Sequence, residues 1–167
     1  SIKFEQKLSL FTAFLNKIKP LVKKERKPSA ATYDFVDNLP LLLKKLLENR
    51  LVSSEALVRV IVVMHDSFNP SLLISRDLGC EKNDSNINVY MPVIEISITL
   101  PFEGRSAVLK LILQSLNQTN ALILITDVLQ LTTIPNDTIQ IFTDFLNKSN
   151  IVMSTIDLQF YGIICKY

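Results

Sequence analysis

Glycine is scarce in this chain, at three residues in 167, which argues against a phosphate-cradling loop protein and for regular elements. Histidine is scarcer still. His65 stands alone beside Asp66, and a catalytic or metal-binding role needs partners that the sequence does not supply. A histidine at the negative end of a helix is the plainer reading. Cysteine contributes only Cys80 and Cys165, neither in a C-x-x-C pair nor near the histidine, so the spacing argues against zinc. Two unpaired thiols fit, as does one disulfide in an oxidising compartment. An excess of one charge is also missing: a net +2 is too small to imply a nucleic-acid partner. No apolar run can span a bilayer, since the longest, such as 57–64, are short and broken by Arg59. No signal peptide is present. Walker A, G-x-G-x-x-G, H-E-x-x-H and G-x-S-x-G are all lacking, and Glu95, Glu103, Asp127 and Asp157 read as solvated carboxylates. No cofactor, metal or catalytic residue is expected, and the chain reads as a non-enzymatic binding module.

What is present is apolar pattern. A hydrophobic content of 48% with 20% charge is enough for a buried core in one compact domain. Phe4, Leu8, Phe11, Leu15 and Ile18 follow heptad spacing up to Pro20, which interrupts the seam. Such a stripe is more often ordinary core packing than a coiled coil, and its five residues are also the candidate interface. Leu10 and Phe14 widen it and favour packing on more than one partner. Residues 1–32 are expected to be this helix and a linker, with Pro28 marking the linker. Lys17, Lys19, Lys23, Lys24, Arg26 and Lys27 cluster around Pro20, either as a solvated helix end or as a contact for anionic lipid or an acidic partner.

Residues 33–167 are expected to form an α+β domain. A helix is predicted from Asn38 with Pro40 in its first turn, and another after Ser53 or Ser54 that stops at Asn69-Pro70. Short strands are predicted at 72–78 and 89–100, the second on the alternation of Ile94, Ile96, Ile98 and Leu100 with Glu95, Ser97 and Thr99. Pro101 and Gly104 punctuate the chain before a helix carrying Val108, Leu111, Ile112 and Leu116. The apolar run 121–128 reads as a further strand, 137–147 as a short helix or loop, and Ile156, Leu158 and Phe160 as a final strand. The order suits N-terminal helices followed by a ferredoxin-like, split β-α-β sheet with helices on one face.

The segment VIEISITLPFEGRSAVLKLILQSLNQTNALILITDVLQL, with STIDLQFYGI later and FEQKLSLFTAFLNKIK before, resembles the periplasmic domain of the PilN/PilO group. These are inner-membrane alignment proteins of type IV pili, with relatives in type II secretion. Arg105 and Ser106 stand where that group commonly has an aromatic. The resemblance implies a structural subunit at the periplasmic face of a bacterial inner membrane, held by an anchor upstream of Ser1. It implies a homodimer, or a heterodimer with a related subunit, that links the platform to the secretin complex. A eukaryotic RWD-like α+β adaptor is the alternative, and a degenerate nucleotide-binding α/β protein is a weaker third. The chain opens at Ser1 directly in a helical pattern, as expected of a piece of a longer protein.

Overall fold

A computed structural model of the chain describes residues 2–23, 30–48, 52–75, 87–131 and 133–149. Eight helices run through them: α1 (Ile2–Lys23), α2 (Ala30–Leu46), α3 (Ser54–Ser67), α4 (Pro70–Leu73), α5 (Met91–Ser97), α6 (Phe102–Ser115), α7 (Gln118–Leu129) and α8 (Asn136–Lys148). Among the described residues the only sheet is a two-residue antiparallel ladder. It pairs β1 (Ile74–Ser75) with β2 (Ile87–Asn88), Ile74 facing Asn88 and Ser75 facing Ile87. The α+β, ferredoxin-like expectation is overturned: the fold is helical. The strands expected at 89–100 and 121–128 give way to helices for identifiable reasons.

Residues 91–97 form α5 because Pro92 sits at its first turn, where a missing N–H costs nothing. The hydroxyls that alternation had placed on a polar strand face are satisfied within helical turns instead. Ser97 Oγ donates to the Ile94 carbonyl at 2.7 Å, and Thr99 Oγ1 donates to the Ile96 carbonyl at 2.6 Å. The run 121–128 lies in α7, capped by Asn117, whose side chain accepts from the Asn120 N–H at 2.9 Å. Every residue from Ala121 to Thr126 is buried, so no polar face reports the period and a strand looks the same as a core helix. Gly104 lies inside α6 rather than in a turn. A Cβ there would stand 3.1 Å from Ser54 Cβ, so the glycine serves the close approach of α6 to the start of α3.

Other local signals hold. Ser53 caps α3, its hydroxyl accepting from the Ala56 N–H at 3.2 Å, with Glu55 in the first turn. The helix ends at Ser67, before Asn69-Pro70. Residues 136–148 are helical as α8, which resolves the choice between helix and loop. In α1 the chain continues past Pro20 to Lys23. Helix α2 begins at Ala30 rather than Asn38, so the expected linker is already helical there and Pro40 is interior. Proline at that point removes the bond that the Val36 carbonyl would accept. The Asn38 side-chain amide supplies a local donor to the Asp34 carbonyl at 2.7 Å.

Helix α3 is the central element: α1 packs along one side of it and α6 along another. α6 also carries α5 and α8, and α2 bridges α1 and α5. One buried cluster runs through all of these, from Phe4 and Leu15 through Leu57 and Met64 to Ile112, Leu124 and Phe142. Removing this much apolar side-chain surface from water is the main stabilising term. Among the described residues no helix is long and apolar enough to cross a membrane. The expectations for Cys80, Cys165 and the strand carrying Ile156, Leu158 and Phe160 lie outside the described residues.

Candidate docking surface

Four of the five residues expected to meet a partner face inward. Phe4, Leu8, Phe11 and Leu15 are buried in the core, and Ile18 is half-buried against it. Helix α1 therefore spends its heptad stripe on its own chain. A second apolar stripe remains on its outside. Seven large apolar side chains stand exposed among the described residues, and Leu10, Phe14, Leu41 and Leu42 of that set lie on α1 and α2. Leu10 is 72% exposed and Phe14 51%, values that a side chain at the edge of a core does not need.

Leu10, Phe14 and Leu42 border a groove of about 470 Å³ between α1 and α2. Phe11 and Leu46 form its buried floor, and Leu10, Phe14 and Leu42 its walls. The helices run antiparallel. Lys7 of α1 donates to the Lys45 carbonyl at 3.0 Å and lies 3.6 Å from the Glu48 carboxylate, both at the far end of α2. Phe14, two turns on, stacks against Phe35 near the start of α2 at 5.7 Å between centroids. Phe35 in turn stacks on buried Phe68 at 6.0 Å, so an aromatic file runs from the groove wall to the end of α3.

Charge around the groove is uneven. The ionisable residues that line it are Lys7 and Lys45. Lys44 and Lys45 also occupy the last turn of α2, where cations suit the helix dipole. Asp34 and Asp37 lie toward the other end of α2, and burial first, then the neighbouring Asp34 charge, pushes the Asp37 carboxyl above its usual range. A second hollow, of about 580 Å³, lies on the opposite shoulder of α1 against α3. Its lining is mixed, with Ser9, Thr12 and Asn16 beside Val58 and Val62, and its cation Arg59 is committed to Glu5. The two nitrogens of that guanidinium meet the two carboxylate oxygens at 2.6 and 2.9 Å, and the contact holds Glu5 below the ordinary carboxylate range.

His65 lies in the last turn of α3, as its sequence context suggests, and its Nε2 is 2.7 Å from the Tyr90 hydroxyl. Burial lowers the His65 pKa, and burial raises that of Tyr90, the latter offset in part by the Ser115 hydroxyl. Asp66, next in sequence, meets Lys19 at 2.6 Å. Imidazole and phenol thus satisfy one another at the edge of the core. Among the described residues no group of three or more His, Cys, Asp or Glu side chains is placed to hold a metal ion. Glu95 is exposed on α5, Glu103 is exposed on α6 and Asp127 accepts from the Asn88 side chain at 3.1 Å, while Asp157 lies outside the described residues. Leu10 and Phe14, which widen the heptad seam in the sequence, are the part of α1 that stays exposed. Comparison with protein-family models, with curated proteins and with solved structures finds no match.

Proposed function

We propose that this chain is a non-enzymatic helical module that holds another polypeptide in the α1–α2 groove. The observation that carries the proposal is the exposure of Leu10, Phe14 and Leu42 together around one apolar hollow with a preformed floor. Grooves between two helices receive the apolar face of a third element, with side chains at i, i+3, i+4 and i+7 as anchors. An aromatic side chain in an apolar patch with a polar rim matches the make-up of protein interfaces.

This keeps the partner-holding part of the sequence reading. It leaves aside a place at the bacterial inner membrane, because the segment resembling the PilN/PilO group folds as α5, α6 and α7, without the strand–turn–helix–strand pattern that carried the likeness. The RWD-like alternative asks for a sheet of the same kind. Titration of the isotope-labelled protein with a leucine-rich amphipathic peptide, followed by amide NMR, tests the proposal. Shifts centred on Leu10, Phe14, Leu42 and Leu46 support it. Shifts centred on Val58 and Val62, in the other hollow, would move the site and defeat it.

A further inference from the structure

We infer that the occupant of the α1–α2 groove is a single amphipathic helix of a different protein, with acidic residues at the end that lies between Lys7 and Lys45. The inference rests on the groove being the docking site and adds the partner's chemistry. Outward positions along α1 read Lys3, Lys7, Leu10, Phe14 and Lys17, at spacings of four, three, four and three, so one stripe carries cation, apolar pair, cation. Outward positions along α2 read Asp34, Asn38, Leu41 and Lys45. Because the helices are antiparallel, the start of α1 lies by the end of α2, and Lys7 and Lys45 line that end of the groove. At the other end, where Phe14 stacks on Phe35, lies the half of α2 that carries Asp34 and Asp37.

The anions near the lysine end do not cancel it. Glu48 lies 3.6 Å from Lys7 and is exposed, while Lys45 has no ion-pair partner among the described residues. An apolar face alone would fit the groove in either direction. The lysine end selects a helix with Glu or Asp there and so fixes its direction as well as its identity. An isologous contact with a second copy pairs unlike positions, and an antiparallel one would set the lysine end against the end that carries Asp34 and Asp37, so self-association of this chain is measured beside peptide binding.

Two synthetic helical peptides test this, sharing the same leucine and phenylalanine anchors but ending in either glutamates or lysines. Their binding to the full chain is read by fluorescence anisotropy, beside sedimentation of the protein alone. The glutamate peptide is expected to bind about tenfold tighter or better than the lysine peptide at low salt, with the gap narrowing as salt rises. The double variant K7E/K45E should invert the preference, and Leu10→Asp should abolish binding of both. All three positions lie on the surface, and an unchanged circular dichroism spectrum establishes that the variants fold. Equal affinity for both peptides, lost in Leu10→Asp, overturns the acidic partner and leaves the groove standing. Self-association of the wild type that Leu10→Asp abolishes makes the occupant a second copy and overturns the inference. Absence of both peptide binding and self-association overturns the inference and the docking groove together.

Discussion

Helices α7 and α1 are both rich in leucine, isoleucine or phenylalanine, yet they sit in opposite environments. α7 buries Ala121 to Thr126 without interruption, then Val128 and Leu129, and has no apolar face to spare. α1 is nearly twice as long, buries Phe4, Leu8, Phe11 and Leu15, and leaves Leu10 and Phe14 in solvent. Ionic contacts divide in the same way. The α6–α8 half has Arg105, itself buried, meeting Asp137 and donating to the Leu100 carbonyl at 2.9 Å. The α1 half is laced to its neighbours by exposed pairs, Glu5–Arg59 and Lys19–Asp66 among them. A helix that is apolar all round is there to be covered by its own chain. One with a second, outward apolar stripe has surface left for something else.

The sharpest way to break this contrast is the same substitution on both sides. Leu124→Ala in α7 should cost about 2–5 kcal/mol by urea unfolding, because a fully buried leucine leaves a cavity. A loss below about 1 kcal/mol would mean that the α7 side is not tightly packed. Next comes Arg105→Ala, at about 1–3 kcal/mol, mainly from leaving the Leu100 carbonyl without its donor. Asp137 is half exposed and can return to water.

His65 contributes through pH. Its pKa is lowered in the folded protein by burial, so below its ordinary value of 6.5 the unfolded chain takes up a proton that the folded one resists. Stability should therefore fall as pH drops from 6.5 toward the folded pKa, and His65→Gln should remove that part of the slope. Urea midpoints at about pH 7.5 and about pH 5.5 measure it. Arg59→Ala should lower the midpoint less than Arg105→Ala does, and the difference from wild type should shrink in high salt, as expected of an exposed pair. Smallest of all is Leu10→Ala, within about 0.5 kcal/mol of wild type. If it proves as costly as Leu124→Ala, Leu10 is covered and the groove has no free wall.

Local chemistry decided which parts of the fold could be read from sequence. Ser53, Glu55 and the Asn69-Pro70 stop bound α3 correctly because a cap and a breaker act within one turn. Leu57, Val60, Ile61 and Met64 fell on its buried face for the same reason. The sheet was misread where the decisive signals were weaker than the apolar pattern. Pro92 was a helix start overlooked beneath the alternation from Ile94 to Leu100, and Asn117 was a helix cap overlooked ahead of the apolar run 121–128. β-branched residues in 91–98 and 121–128 favour strands when judged alone, and tertiary burial outweighs that preference. The heptad stripe of α1 was legible, and its residues Phe4, Leu8, Phe11 and Leu15 are spent on this chain's own core. A heptad stripe cannot say whether its partner is another protein or the rest of its own chain.

The clasps on α1 bear on how a visitor would be received. Glu5 and Lys19 are fourteen residues apart, about 21 Å along the axis, and each is tied to α3. Lys7 adds a tether to the end of α2. One wall of the groove is thus fastened near both ends before any encounter. Docking need not order α1, so little of the contact free energy is lost to immobilising the receptor. Amide exchange along α1 should then already be slow in the unliganded protein.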